Sequence, residues 1–288
     1  MKSGWMLVAA ALFALMSVLV KQASATFSPA ELVFYRSAFG LFAIWGVIAA
    51  RQRQLLAPLA TAHVHAHVLR GLSGFAALVL FFYALANLPL ATAVTLNYTA
   101  PLFLAVLSAW WLRERHGRSL VGAVLLGFFG VVLLLRPQLQ DQAWLPALAG
   151  LVSGMLAAVA YVNVKQLGRL GEPEWRVVFY FTLIATVGGA AWMAAAGWHV
   201  PRAQDWPWLI GIGLTATLAQ LALTRAYHRG RTLTVGALAY TTVGFSALYG
   251  VLLFDERLPL AAWLGMGMVA AAGVWAVRAA APARADSL

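Results

Sequence analysis

Val20-Lys21-Gln22, near the end of the first apolar stretch, returns as Val164-Lys165-Gln166, 144 residues later. Val33-Phe34-Tyr35 returns as Val178-Phe179-Tyr180 at an offset of 145. Further out, Tyr98 and Glu114 return as Tyr240 and Glu256 at 142, and Gly122 and Gly130 as Gly265 and Gly273 at 143. Ordered matches at nearly one offset mark an internal duplication. In a strongly apolar chain, duplication implies a membrane protein of two related halves, a construction typical of carriers with a central site.

Composition agrees. The chain is 62% hydrophobic and 10% charged, with mean hydropathy +0.81, far from the balance of a soluble domain. Stretches long enough to cross a bilayer, about 20 residues each, are read at 4–22, 30–49, 68–88, 90–111, 119–136, 144–166, 175–197, 206–228, 233–254 and 260–278. The expected fold is all-α and integral to the membrane, with ten transmembrane helices in two five-helix repeats, residues 1–141 and 142–288. Lys2, the apolar run and Ala23-Ser24-Ala25 have the outline of a cleavable leader. Lys21 interrupts that outline, and the segment is the repeat partner of the internal 144–166, so it is expected to stay as a helix.

Placing the N-terminus inside puts 14 Lys and Arg on the cytoplasmic side, Arg70 among them, and four (Lys21, Arg136, Arg202, Arg257) on the other. That bias predicts both termini in the cytoplasm of a bacterial inner membrane. It also accounts for the net charge of +11, so the bilayer is the expected partner and nucleic acid is not. Five spans is an odd number, so a direct sequence repeat becomes an inverted structural one, suited to alternating access.

Ten spans in a five-plus-five repeat, Arg36 early in the second span, and the run Tyr98 to Pro101, Leu112-Arg113-Glu114-Arg115, Gly122 and Gly130 resemble the EamA repeat of the drug/metabolite transporter superfamily. The second copy runs from Tyr240 through Phe254-Asp255-Glu256-Arg257 to Gly265 and Gly273, without the proline. The resemblance implies a central cavity lined by spans 1–4 and 6–9, spans 5 and 10 at the periphery, and small-molecule cargo such as amino acids, other metabolites or drugs, frequently exported. The pattern is similar to the amino-acid exporters of the superfamily, the aromatic amino-acid branch among them.

The nine carboxylates all fall in loops, tails or end turns of spans. Intramembrane carboxylates are the usual proton relays and cation sites, so uncoupled facilitated diffusion is the simplest expected mechanism. The alternatives are a proton-coupled exporter of drugs or other metabolites and, further off, a polytopic membrane enzyme. Against the enzyme stand the absence of G-x-S-x-G, H-E-x-x-H and a phosphate loop.

Arg36 is the leading candidate for contact with substrate, since guanidinium suits carboxylate geometry; the competing reading is that it snorkels or pairs with Glu31. Asn97, Tyr98 and Pro101 in span 4, and Tyr240, Thr242 and Ser246 in span 9, are polar or helix-breaking positions at mid-span. Tyr83, Tyr161, Asn163, Gln220 and Thr224 are weaker additions. Glu114 and Glu256 are expected to clamp the turns into spans 5 and 10. His63, His65 and His67 would form a metal site only if the loop were extended and fixed; no metal and no cofactor is expected. The protein is expected to be a monomer moving zwitterionic amino acids, aromatic or apolar ones among them.

Overall fold

In the computed structural model, the described residues are 4–52, 59–100, 102–103, 107, 118–140, 143–229 and 238–279. They form helices α1 (Trp5–Ala23), α2 (Pro29–Gln52), α3 (Val64–Asn87), α4 (Leu90–Asn97), α5 (Arg118–Gln140), α6 (Trp144–Arg169), α7 (Glu174–Ala196), α8 (Trp206–Arg229), α9 (Thr241–Phe254) and α10 (Leu260–Ala279). There is no strand among the described residues. Among the described residues, six helices are long and apolar enough to cross a membrane, namely α1, α2, α3, α6, α7 and α8; shorter apolar stretches lie in α5, α9 and α10.

The helices are apolar on most faces, as buried or lipid-facing helices must be. Their starts are set by local chemistry. Pro29 opens α2, and Pro89 and Pro173 sit just before α4 and α7, where a missing N–H costs nothing. Ser28 and Glu31 form a reciprocal cap at the start of α2: the Ser28 amide donates to Glu31 Oε2 (2.6 Å) and the Glu31 amide to Ser28 Oγ (3.3 Å). Asp205 Oδ2 accepts the Arg202 amide (2.7 Å) ahead of α8. Gly197 follows α7 at φ +81°, a conformation open to glycine and strained for other residues.

The packing interleaves the two halves. α1 lies on α8 and its repeat counterpart α6 on α3; α2 lies on α8 and α7 on α3; α1 meets α9 and α6 meets α4. α2 with α7, α4 with α9, and α5 with α10 pair each helix with its own counterpart. Outward faces carry Phe42, Phe128, Phe129, Trp192, Leu252 and Leu264, an apolar surface of the kind that needs lipid.

Cross-links identify the two ends of the bundle. At one, Glu31 of α2 accepts the His199 amide beyond α7 (2.5 Å), and Lys21 at the end of α1 meets Glu256 beyond α9. At the other, the Tyr180 hydroxyl in α7 donates to the Leu59 carbonyl between α2 and α3 (2.9 Å), and the Thr61 hydroxyl bonds to Glu172, just beyond α6. α1 therefore ends at the first end and α6 at the second, while α2 starts at the first and α7 at the second.

Two sequence readings change here. Span 3 begins at Val64 rather than 68, so Arg70, counted on the cytoplasmic side at the edge of the expected span, lies almost two turns inside a helix. The same helix takes in His65 and His67, whose helical spacing turns them to different sides. His67 is fully buried with its ring 4.5 Å from that of Tyr180, and its Nε2 lies 3.4 Å from Glu172 Oε2.

Candidate functional site

Arg36 lies seven residues into α2, about 10 Å along the helix, and Arg70 six residues into α3, about 9 Å from the opposite end of the bundle. Entering from opposite ends, the two side chains converge. Each residue is only 7% exposed. Both guanidinium carbons lie over one ring, that of Phe181 in α7, at 5.9 Å (Arg36) and 4.3 Å (Arg70) from its centroid. The two charges are close enough to repel one another, and both are felt by the Tyr161 hydroxyl on α6.

Gly74, one turn after Arg70, makes room for this arrangement. A Cβ there would run into Arg70 Nη1 and come within 2.9 Å of Phe181 Cε2. Tyr161 keeps 46% of its surface accessible although its hydroxyl neighbours two buried charges.

The arginines have no counter-ion among the described residues. Glu31, the nearest acid in sequence to Arg36, is occupied by the Ser28 and His199 amides. Glu172 is held by Thr61 and Arg176, whose Nη1 lies 2.9 Å from Oε2. Arg36 Nε and Arg70 Nε and Nη1 are buried without a hydrogen-bond acceptor. A guanidinium buried this way costs on the order of several kcal/mol, only partly offset by a ring face at about 1–2 kcal/mol. The pairing of Arg36 with Glu31 considered from sequence is not what the structure contains.

The other candidates are distributed as follows. Asn97 Nδ2 donates across to Ser153 Oγ in α6 (3.0 Å), and α4 breaks after it, at Tyr98 and Thr99. Gly154 allows this break to lie close: a Cβ there would sit 2.6 Å from Thr99 Oγ1 and 3.0 Å from the Asn97 carbonyl. Asn163 is buried and turned back on its own helix, its Nδ2 donating to the Val159 carbonyl (3.1 Å). Thr242 and Ser246 are buried one turn apart on α9, their hydroxyl oxygens without a hydrogen-bond partner. Tyr240 is buried against α10, its ring over Gly273, where a Cβ would collide with it. Tyr98 is partly buried beside Met6, Ala9 and Ala222, while Tyr83 and Gln220 are half-buried on α3 and α8. Pro101 and the side chain of Thr224 lie outside the described residues.

Of the candidates, then, Arg36 and Tyr161 come together, joined by Arg70 and Phe181, which sequence reading missed. The available signal was the helical continuity of residues 64–87, which places Arg70 at a depth comparable with that of Arg36.

Glu256 does more than close its own turn. Its Oε1 lies 3.0 Å from Lys21 Nζ and accepts the Leu90 amide at the start of α4 (2.7 Å), while Lys21 also donates to the Leu88 carbonyl (2.5 Å). An anion suits that helix start. Glu114 is outside the described residues. Open depressions of about 270 and 390 Å³ lie at this same end, around Gln22, Thr26, Trp198, His199 and Asp205; the buried charge at Arg36 and Arg70 is the stronger mark of a binding site.

The sequence profile of the EamA-like transporter family matches this chain twice, over residues 2–136 and 144–278. The chain belongs to the EamA-like transporter family. It is a multi-pass membrane transporter of the drug/metabolite superfamily, and its family and relatives point to small-molecule transport rather than to catalysis. It is 33% identical over 258 residues to the pseudopaline exporter CntI of Pseudomonas aeruginosa, covering 89% of each chain. It is 30% identical over 205 residues to the riboflavin transporter of Vibrio cholerae, covering 70% of this chain and 68% of that one. An uncharacterized transporter of Helicobacter pylori is 29% identical over 268 residues, 91% of this chain and 89% of its own. A solved crystal structure superposes with a TM-score of 0.66 over 96% of this chain and 98% of its own at 21% identity, a likeness of fold.

Proposed function

We propose that this protein exports a small organic acid, amino acids included, across the bacterial inner membrane by alternating access around Arg36. The observation that carries this reading is Arg36 itself: a charge deep in α2, buried, beside an open face of Tyr161, and without a carboxylate partner among the described residues. A permanent cation there is stabilised by an anionic group passing through.

Ten spans in two inverted halves, 1–141 and 142–288, fit the interleaved packing, whose most extensive helix–helix contacts map onto one another when each helix is exchanged for its repeat counterpart. The opposed directions of α1 and α6 support the inversion. Exchange of the two halves' conformations then opens the path to one side or the other. The Lys and Arg bias supports cytoplasmic termini. Export follows the direction named for the Pseudomonas aeruginosa relative. Glu31, Glu172, Asp205 and Glu256 are all committed at helix ends, which favours facilitated passage over coupling to protons. Asn97, Thr242 and Ser246 are proposed as additional polar lining.

The test is counterflow in proteoliposomes preloaded with unlabelled glutamate or phenylalanine, following uptake of the labelled compound with and without a pH gradient. Arg36→Gln is expected to reduce uptake at least tenfold in protein that still elutes as a folded species. Unchanged kinetics in that variant would remove Arg36 from the pathway.

A further inference from the structure

Arg36 is one of a pair, and the pair narrows the cargo. We propose that Arg36 and Arg70 form a single seat for an organic acid carrying two negative charges, with Arg70 the residue that separates dianions from monoanions and zwitterions. This rests on the reading of Arg36 as part of the translocation path and adds the class of substrate.

Four observations support it. Both arginines are more than nine-tenths buried and their guanidinium carbons lie over the one ring of Phe181. They repel one another, so each makes the other's burial less favourable until an anion sits with them. Nε of both, and Nη1 of Arg70, have no acceptor, leaving donor positions open on two planar forks that suit carboxylate oxygens. The residues come from α2, α3, α6 and α7, so the seat spans both halves and is reshaped when they move against each other.

A monocarboxylate would neutralise one charge and leave the other buried. A zwitterion would also bring its ammonium toward two cations. Two carboxylates on one small skeleton match the pair, one to each fork. A phosphate monoester shares the double charge, and the arms of the experiment separate it from a dicarboxylate.

The experiment is ligand-induced thermal stabilisation of the purified protein in detergent. It is titrated with glutarate and succinate, with glycerol 3-phosphate, with butyrate as the monoanion and with glutamine as the zwitterion. Wild type is compared with Arg70→Gln, Arg70→Lys and Arg36→Gln. The expected result is that at least one dianion half-saturates at a concentration tenfold or more below that of butyrate or glutamine. Arg70→Gln should bring that ratio to about one. Arg70→Lys keeps the charge, guards against a folding defect, and should retain part of the preference while losing the fork. A ratio highest for glycerol 3-phosphate assigns a phosphate to the seat; highest for glutarate or succinate, two carboxylates.

The proposal is overturned if butyrate or glutamine matches the dianions in wild type, if Arg70→Gln or Arg70→Lys leaves the ratio intact, or if no dianion stabilises the protein. In each case Arg36→Gln decides separately about the pathway: loss of butyrate or glutamine binding in that variant keeps Arg36 in the site while the two-charge seat is discarded.

Discussion

Replacing Lys21 by Met keeps most of the aliphatic stem and removes one ammonium from the knot that ties α1, α4 and the turn after α9. That ammonium lies 3.0 Å from Glu256 Oε1 and 2.5 Å from the Leu88 carbonyl, and 5.4 Å from the centroid of the Phe254 ring. Its side chain is 19% exposed and that of Glu256 9%, so the pair is largely but not wholly out of solvent. Removing one member of a fully buried pair costs about 3–5 kcal/mol, mostly through the charge left behind. Here Glu256 keeps the Leu90 amide and some solvent, which places Lys21→Met at about 2–3 kcal/mol. With about 2–4 °C per kcal/mol for a chain of this size, the melting temperature in detergent should fall by roughly 5–10 °C, read by intrinsic tryptophan fluorescence. The decisive comparison is Lys21→Met with Glu256→Gln. Neutralising the abandoned carboxylate should recover about half of the loss, because the amide side chain still accepts from Leu90. If single and double variants add to within about 0.5 kcal/mol, the two charges are not coupled and the knot does not hold that end of the bundle.

Glu172 links stability to pH. Burial opposes its ionisation, but hydrogen bonds from Thr61 and Arg176, with the Arg176 charge and the His67 ring, outweigh it and hold the carboxyl below its ordinary range. A carboxyl lowered by folding adds stability above its unfolded value, about 4.3, and that stability is lost as pH falls toward the folded value. Melting temperature should therefore drop as pH falls through the unfolded value, about 4.3, and below it in wild type, and less steeply in Glu172→Gln; equal slopes would refute the assignment. Gly273→Ala places a methyl group where the Tyr240 ring lies and should destabilise by about 1–3 kcal/mol. The same change made together with Tyr240→Ala should cost far less beyond the Tyr240→Ala loss itself, and an equal cost in both backgrounds would show that the ring is not the obstacle.

The helical architecture was legible from sequence because apolar length and duplication are properties of composition and spacing. The caps and cross-links were not, because Glu31 and Glu256 act on amides that only folding brings near them, those of His199 and Leu90. Arg36 stood out as a charge inside an apolar run. Arg70 did not, because its position two residues into the expected span made it one more basic residue at a membrane edge. What moved it inward was the extension of α3 back to Val64, through polar residues that hydropathy assigns to a loop and that neighbouring helices can nonetheless bury. His67 illustrates the same effect: three alternating histidines suggest an extended ligand strip, while the helix sends one of them into the bundle against Tyr180.

The interleaving of the halves also constrains how the molecule is made. α1 and α2 find their main neighbours in α8 and α7, and α3 finds its own in α6 and α7. At about 5–20 residues per second, the ribosome needs roughly 7–30 s to extend the chain from Arg36 to Phe181. Throughout that interval the first helices stand in the bilayer without the surfaces they will cover, and Arg36 and Arg70 are without the ring they share. The chain therefore has no self-sufficient first half to fold while the second is synthesised. The insertion machinery, or a membrane chaperone, must shelter two cationic helices until α7 and α8 arrive, and membrane proteases have their best access to the chain during that wait.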